Sequence, residues 1–375
     1  MWCHPMNALT LNIPEQMLLA LLRASLQEME VETACFRQAI AEDWKRCYRL
    51  ACAQGVMALA WDGVCRLPAA LQPPLSVKLS WATGVEAYEK RYRRYCRTVD
   101  GLTRFYAGHG IATVQLKGVG LSTLYPVPTH REGGDIDIYT YAADRAVMSD
   151  AEANRLADDL MRRQGVKVDA EHTPKHSLFY WQGIPVENHK TFLNVERYRI
   201  ALTVEQRLHT LLQPQEVVLP GAEGTVWIPS PAFNTLFVAF HAIQHYGCGL
   251  SLHHLCDWAC LLRRYGLLLA PEGLDARFVR AIFALTRLCN RLLGTQVAVP
   301  DDRGLADRML AEILHPRYGV ELPADGKPAI LVFKARRLFY HLRLRQEVLD
   351  EPLCRRLWQS FCSHLRHPET IFHGK

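Results

Sequence analysis

The sequence predicts an α+β fold: a small mixed sheet with its own helices, set between an N-terminal and a C-terminal helical region. Three observations lead there. Leucine-rich, Arg- and Glu-studded segments with helical periodicity fill the chain up to about residue 110 and resume after Val204. At Ile111 the pattern changes to short apolar runs separated by glycines and prolines. Finally, two alternating runs are joined at Gln182-Gly183, which reads as a hairpin. The expected units are 1–110, helical; 111–204, the mixed core; and 205–375, helical.

In order, residues 14–62 read as helix, led by Leu18, Leu19, Leu21 and Leu22 and broken by Pro68, Pro73 and Pro74. A second long helix carries Tyr88, Tyr92, Tyr95 and Leu102 and stops at Gly108-His109-Gly110. Ile111–Leu116 is a strand, Gly118–Leu124 a turn with one or two helical turns, and Asp135–Tyr139 the next strand. Ser149 caps an amphipathic helix to Arg163, closed by Gly165. His176–Trp181 and Ile184–Phe192 form the hairpin. After Val204 the chain turns helical again. One helix starts at Ser230-Pro231 and another covers Leu250–Tyr265, with Leu- and Arg-rich helices from Arg277 and breaks near Pro300 and 319–328.

Composition bounds the function. Hydrophobic content of 49% with 22% charge over 375 residues fits a folded protein with sizeable cores and excludes wholesale disorder. A net charge of +6 permits an anionic substrate without demanding nucleic acid. The twelve cysteines are scattered and make no Cys-x-x-Cys, and no basic stretch precedes an apolar core at the N-terminus. Reduced thiols and a cytoplasmic protein are expected. Thr225–Cys256 lacks Lys, Arg, Asp and Glu, but its prolines, Asn234, Gln244 and four histidines predict buried helices rather than a membrane span.

The chemistry concentrates at Asp135-Ile136-Asp137-Ile138. Strand side chains alternate, so Asp135 and Asp137 share a face and offer hard oxygen ligands to Mg²⁺ carrying phosphate. Gly118 and Gly120, just upstream, offer backbone N–H groups to phosphate oxygens. Metal-assisted nucleotidyl transfer needs a third carboxylate on a neighbouring strand. Glu187, on the second hairpin strand with His189 on the same face, is the candidate. Lys117 is either a strand-end lysine or a phosphate contact. Arg131 either pairs with Asp135 or Glu132 or serves the substrate. Asn234, His241 and His245 share a helix face, as cleft contacts or as hydrogen-bonded groups between helices.

In this order, Lys117-Gly118, Tyr125-Pro126, Arg131, Asp135-Ile136-Asp137-Ile138, His176, Glu187-Asn188-His189, His241, His245 and Asp257 resemble the uncharacterised bacterial nucleotidyltransferases of the DNA polymerase beta superfamily. The resemblance covers roughly residues 30–270. It implies that Asp135, Asp137 and Glu187 bind Mg²⁺ or Mn²⁺, and that Gly118 and its neighbours line the triphosphate of an NTP. It also implies that Lys117 or Arg131 counters the triphosphate's charge, and that His241 and His245 face the cleft. The glycine motif departs from the family's Gly-Ser or Gly-Gly nearer the first aspartate.

The acceptor of the NMP group is expected to be a small molecule, a peptide or protein, or RNA; for RNA, the arginines between 91 and 104 would bind it. A different class of reading is a catalytically degenerate nucleotide-binding or protein-interaction module. His253-His254 with Cys256 and Cys260 invites a zinc reading, against which buried core cysteines weigh more heavily.

Overall fold

The computed structural model describes residues 10–318 apart from 172 and 223, and residues 326–352 and 357–358. The N-terminal helices are α1 (Ile13–Gln27), α2 (Ala41–Ala53), α3 (Met57–Arg66) and α4 (Leu75–Ala107). The expected helix over 14–62 is therefore three helices. Its leucines are buried as the periodicity requires, but Glu28 closes α1 in the left-handed region (φ 53°) and Gly55 turns the chain between α2 and α3 (φ +65°). Helix α4 runs for 33 residues and ends at Gly108, and Gly110, in the left-handed region (φ 74°), turns the chain into the strand that follows.

The central core comprises β1 (Ile111–Gln115), α5 (Val119–Ser122), β2 (Ile136–Ala142), α6 (Asp150–Arg163), β3 (Val168–Asp169), β4 (His176–Trp181) and β5 (Ile184–His189). The strands form one mixed sheet in the order β1-β2-β5-β4-β3. Only β2 and β5 run parallel, with Asp137 opposite Glu187 and Tyr139 opposite His189. Gln182 and Gly183 both have positive φ (51° and 73°), the type I′ geometry that joins tightly twisted strands. Ser149 caps α6 as the sequence predicts, and its backbone N–H donates to Glu152 Oε2 at 2.8 Å.

Alternation then sorts the sheet. Ile136, Ile138, Ile184 and Val186 pack with Val99, Leu102 and Tyr106 of α4 and Ala157, Leu160 and Met161 of α6. The other face carries Asp137, Tyr139, Glu187 and His189. Asn188 points with the apolar set, yet it is satisfied there: its Oδ1 accepts from Thr140 (2.8 Å) and Asn154 (3.0 Å), and its Nδ2 donates to Asp158 (2.9 Å). This buried network ties α6 to the back of the strand pair that carries the carboxylates.

The remaining elements are α7 (Ala201–Leu211), β6 (Gln215–Val218), β7 (Thr225–Ile228), α8 (Pro231–Gln244), α9 (Leu252–Tyr265), α10 (Ala276–Leu288), α11 (Leu305–Leu314) and α12 (Lys327–Val348). The antiparallel β6–β7 pair is an addition to the region after Val204, which the sequence reads as helical. Four-residue strands with only Val226 and Ile228 buried carry too little pattern to read. Residues of α1 to α4 and α7 to α11 share one apolar core, so both helical regions pack together beside the sheet. The helices expected from Arg277 appear as α10, α11 and α12, with the chain non-helical around Pro300; most of the expected break over 319–328 and nearly all of the chain after residue 352 lie outside the described residues. Among the described residues no helix is long and apolar enough to cross a membrane, and every cysteine is a free thiol.

Candidate active site

Strand register brings the carboxylates together. One ligand oxygen from each of Asp135, Asp137 and Glu187 lies within 4.8 Å of the others. Asp135 sits just before β2 at the cleft, Asp137 is fully buried, and Glu187 adjoins it across the parallel pair. One oxygen of Asp137, Oδ2, is buried without a hydrogen-bond partner. A buried, charged, unpartnered oxygen is costly unless a cation completes it, so the donor set fits a divalent metal.

The cations present are lysines. Lys117 Nζ lies 3.1 Å from Asp137 Oδ1 and 3.9 Å from Asp135 Oδ2, and Lys175 Nζ lies 3.8 Å from Glu187 Oε2. Burial lowers the Lys117 ammonium's proton affinity, but Asp137, Asp135 and Glu187 together raise it above its usual value. Burial and the adjacent Asp137 charge push the Asp135 carboxyl up. Burial also raises Asp137, but Lys117 and His189 overcome it and hold that carboxyl well below its usual range. Lys175, buried with a weaker balance of neighbours, is shifted down.

The loop into Asp135 is clamped from both sides. Arg131 donates Nε and Nη2 to the two oxygens of Asp257 at 2.9 and 2.8 Å, and Tyr125 donates to Asp257 Oδ1 at 2.7 Å. Arg131 thus pairs with neither Asp135 nor Glu132, the partners expected from sequence, although it still lines the cleft. Glu132 accepts the Ala58 backbone N–H at 3.1 Å, satisfying the first turn of α3. The Gly134 carbonyl accepts from Tyr95 at 2.7 Å and from Arg91 at 3.3 Å.

The cleft has a volume of about 570 Å³. Lys117, Gly118, Arg131 and Asp135 line one side and His241, His245, His253 and His254 the other. Gly118 has φ 63° and ψ −126°, a conformation open only to glycine. Gly120 is placed differently from the sequence expectation: it is buried, and a Cβ there would meet Ile228 at 3.0 Å and the Gln115 carbonyl at 3.2 Å. It is a packing glycine behind the cleft wall. Asn234 likewise turns to the Pro229 carbonyl, 2.9 Å away.

His241, His245 and His254 bring ligand atoms within 4.8 Å of one another. Burial, then the Lys117 charge for His241 and His245, holds these imidazoles neutral, with His245 down to about 4. The Ser251 backbone N–H donates to His254 Nδ1 at 3.2 Å, so the ring proton sits on Nε2, which suits donation rather than metal ligation. Cys256 and Cys260 lie in the apolar core while His253 and His254 face the cleft, so that group makes no zinc site. Of the α4 arginines, Arg91, Arg93, Arg94 and Arg104 bond within the chain, to Gly134 and Tyr95, Glu89, Gln182 and Asp100.

A family model described as uncharacterised nucleotidyltransferase matches residues 41–294, most of the chain. The chain belongs to this family. The match takes in the sheet, the carboxylates and the histidines of α8 and α9. Among solved structures, an antigenic nucleotidyltransferase-like protein from Paracoccidioides brasiliensis is similar at 12% identity and a TM-score of 0.38. The match covers 54% of this chain and 92% of that one. No curated protein matches. Sequence reasoning missed Lys175 and the cleft faces of His253, His254 and Arg91. Lys175 carries no motif; the His253-His254 pair was visible but drew attention to its neighbouring cysteines instead.

Proposed function

We propose that this nucleotidyltransferase moves an NMP group from an NTP to a hydroxyl or phosphate acceptor, using divalent metal held by Asp135, Asp137 and Glu187. The observation that carries the reading is the juxtaposition of these three carboxylates at the end of a cleft, one of them with a buried, unpartnered oxygen. When bound, Mg²⁺ or Mn²⁺ supplies charge neutralisation for the triphosphate and the attacking oxygen.

The chain's own residues position the reactants. Asp137, buried and ionised, is the fixed anchor; Asp135 and Glu187, each partly exposed, face it from either side. Lys117, held by Asp137 and Asp135 beside Gly118, would counter the phosphate charge with its ammonium. Gly118 admits phosphate to its backbone N–H, and Arg131, oriented by Asp257, adds positive potential at the wall. His241 and His245, neutral and lining the opposite wall, hydrogen-bond the nucleotide or acceptor without adding charge.

The test is NTP binding by calorimetry with and without Mg²⁺, alongside transfer of labelled NMP with pyrophosphate release. Wild type and Asp135→Asn/Asp137→Asn are compared. Metal-dependent binding should be present in wild type and lost in the double variant. Turnover should fall at least about a hundredfold. Equal turnover in both proteins would remove the carboxylates from the mechanism.

A further inference from the structure

We propose that His176 and His189 supply nitrogen ligands to the metal position at Asp137 and Glu187, so that this position favours a first-row transition-metal dication over Mg²⁺. The inference rests on the carboxylate reading above and adds to it two ligands of a different chemistry. Four atoms define the position. His189 Nε2 lies 3.1 Å from Asp137 Oδ1 and 3.5 Å from Glu187 Oε2, and His176 Nδ1 lies 3.1 Å from the same Glu187 oxygen. An ion with bonds of about 2.1 Å separates adjacent ligands by about 3.0 Å in an octahedron and about 3.4 Å in a tetrahedron. The two 3.1 Å spacings fall in that range and the 3.5 Å spacing lies just above it. His176, Glu187 and His189 also converge as a set, each offering an atom within 4.8 Å of the others.

The backbone dictates the arrangement. His176 and His189 are cross-strand partners in the β4–β5 pair, and Glu187 lies two residues before His189 on the same face. His189 Nδ1 donates to the Thr191 carbonyl 3.2 Å away, and Nε2, within hydrogen-bond distance of Asp137 Oδ1, is the nitrogen that faces the carboxylates and would meet an ion there. A backbone carbonyl on one ring nitrogen and an anionic cluster at the other is the outer-shell pattern of metal-ligating histidine. His189 and Asp137 are fully buried and His176 nearly so, which limits the water available to an ion and gives the protein ligands more weight. Imidazole nitrogen suits transition-metal ions, whereas Mg²⁺ takes oxygen ligands.

Mn²⁺ is the probe. Full-length protein is titrated with Mn²⁺ with and without ATP, followed by EPR, and pulsed EPR reads ¹⁴N coupling to the bound ion. Wild type should show imidazole nitrogen coupling, which needs no variant to interpret. His176→Gln and His189→Gln should each weaken it and lower Mn²⁺ affinity about tenfold or more, with Mg²⁺ affinity little changed. Bound Mn²⁺ with oxygen ligands only would overturn the inference and leave the carboxylate site standing. No bound Mn²⁺ under either condition would overturn both.

Discussion

Removing the Asp257 carboxylate should destabilise the protein by several kcal/mol, because it is the counter-charge of an almost fully buried guanidinium. Burial pushes the Asp257 carboxyl up, but Arg131, His253 and the Tyr125 hydroxyl outweigh it and hold it down at about 2 against an ordinary 3.8. At about 1.4 kcal/mol per pH unit, that depression alone corresponds to about 2 kcal/mol of stability. Because the folded value is the lower one, this contribution is complete above pH 3.8 and disappears as pH falls through about 2. Asp257→Ala also leaves Arg131 buried and unpaired, so the total loss should be about 3–5 kcal/mol. Tryptophan fluorescence, to which buried Trp258 beside Asp257 contributes as one of eight, follows denaturant unfolding at pH 7. Arg131→Met/Asp257→Leu, which removes both charges, should lose much less than the sum of the singles. A loss below about 1 kcal/mol in Asp257→Ala, or strict additivity in the double variant, would refute the pair as an energetic unit.

Two further outcomes are expected. Gly118→Ala forces a Cβ into φ 63°, ψ −126° and should cost about 1–3 kcal/mol in denaturant unfolding while weakening NTP binding; an unchanged midpoint would show the turn to be adaptable. Burial lowers His130, but Asp62 at 2.8 Å and Glu89 at 3.2 Å raise it above its ordinary 6.5. Its stabilisation is therefore complete below pH 6.5 and lost as pH rises through the folded value. The stability–pH slope above 6.5 should flatten in His130→Gln, and parallel slopes would dismiss the pairing.

The site was legible where its signal was local. Asp135 and Asp137 sit two apart on an extended segment, and Glu187 and His189 repeat that spacing on a strand whose turn, Gln182-Gly183, has an obvious geometry. What stayed hidden depends on partners far along the chain. Arg131 finds Asp257 across 126 residues, and Glu132 finds the start of α3 across 74, where periodicity has nothing to say. Gly120 looked like a phosphate-loop glycine because its spacing did; Ile228, on an unforeseen short strand, and the Gln115 carbonyl show why a side chain is excluded. Asn188, odd in an apolar run, made sense once α6 placed Asn154 and Asp158 beneath it.

Arg131 and Glu132 are neighbours in sequence, yet they reach in opposite directions, one to a carboxylate on α9 and the other to the first turn of α3. The Arg131 charge is countered, and the Glu132 carboxylate hydrogen-bonded, only when α9 and α3 are both packed against this segment. The segment leading to Asp135 is thus fixed by contacts to two distant helices rather than by its own local structure, and the position of that carboxylate depends on both. On the function proposed above, competence to bind NTP then reads out the docking of both helices.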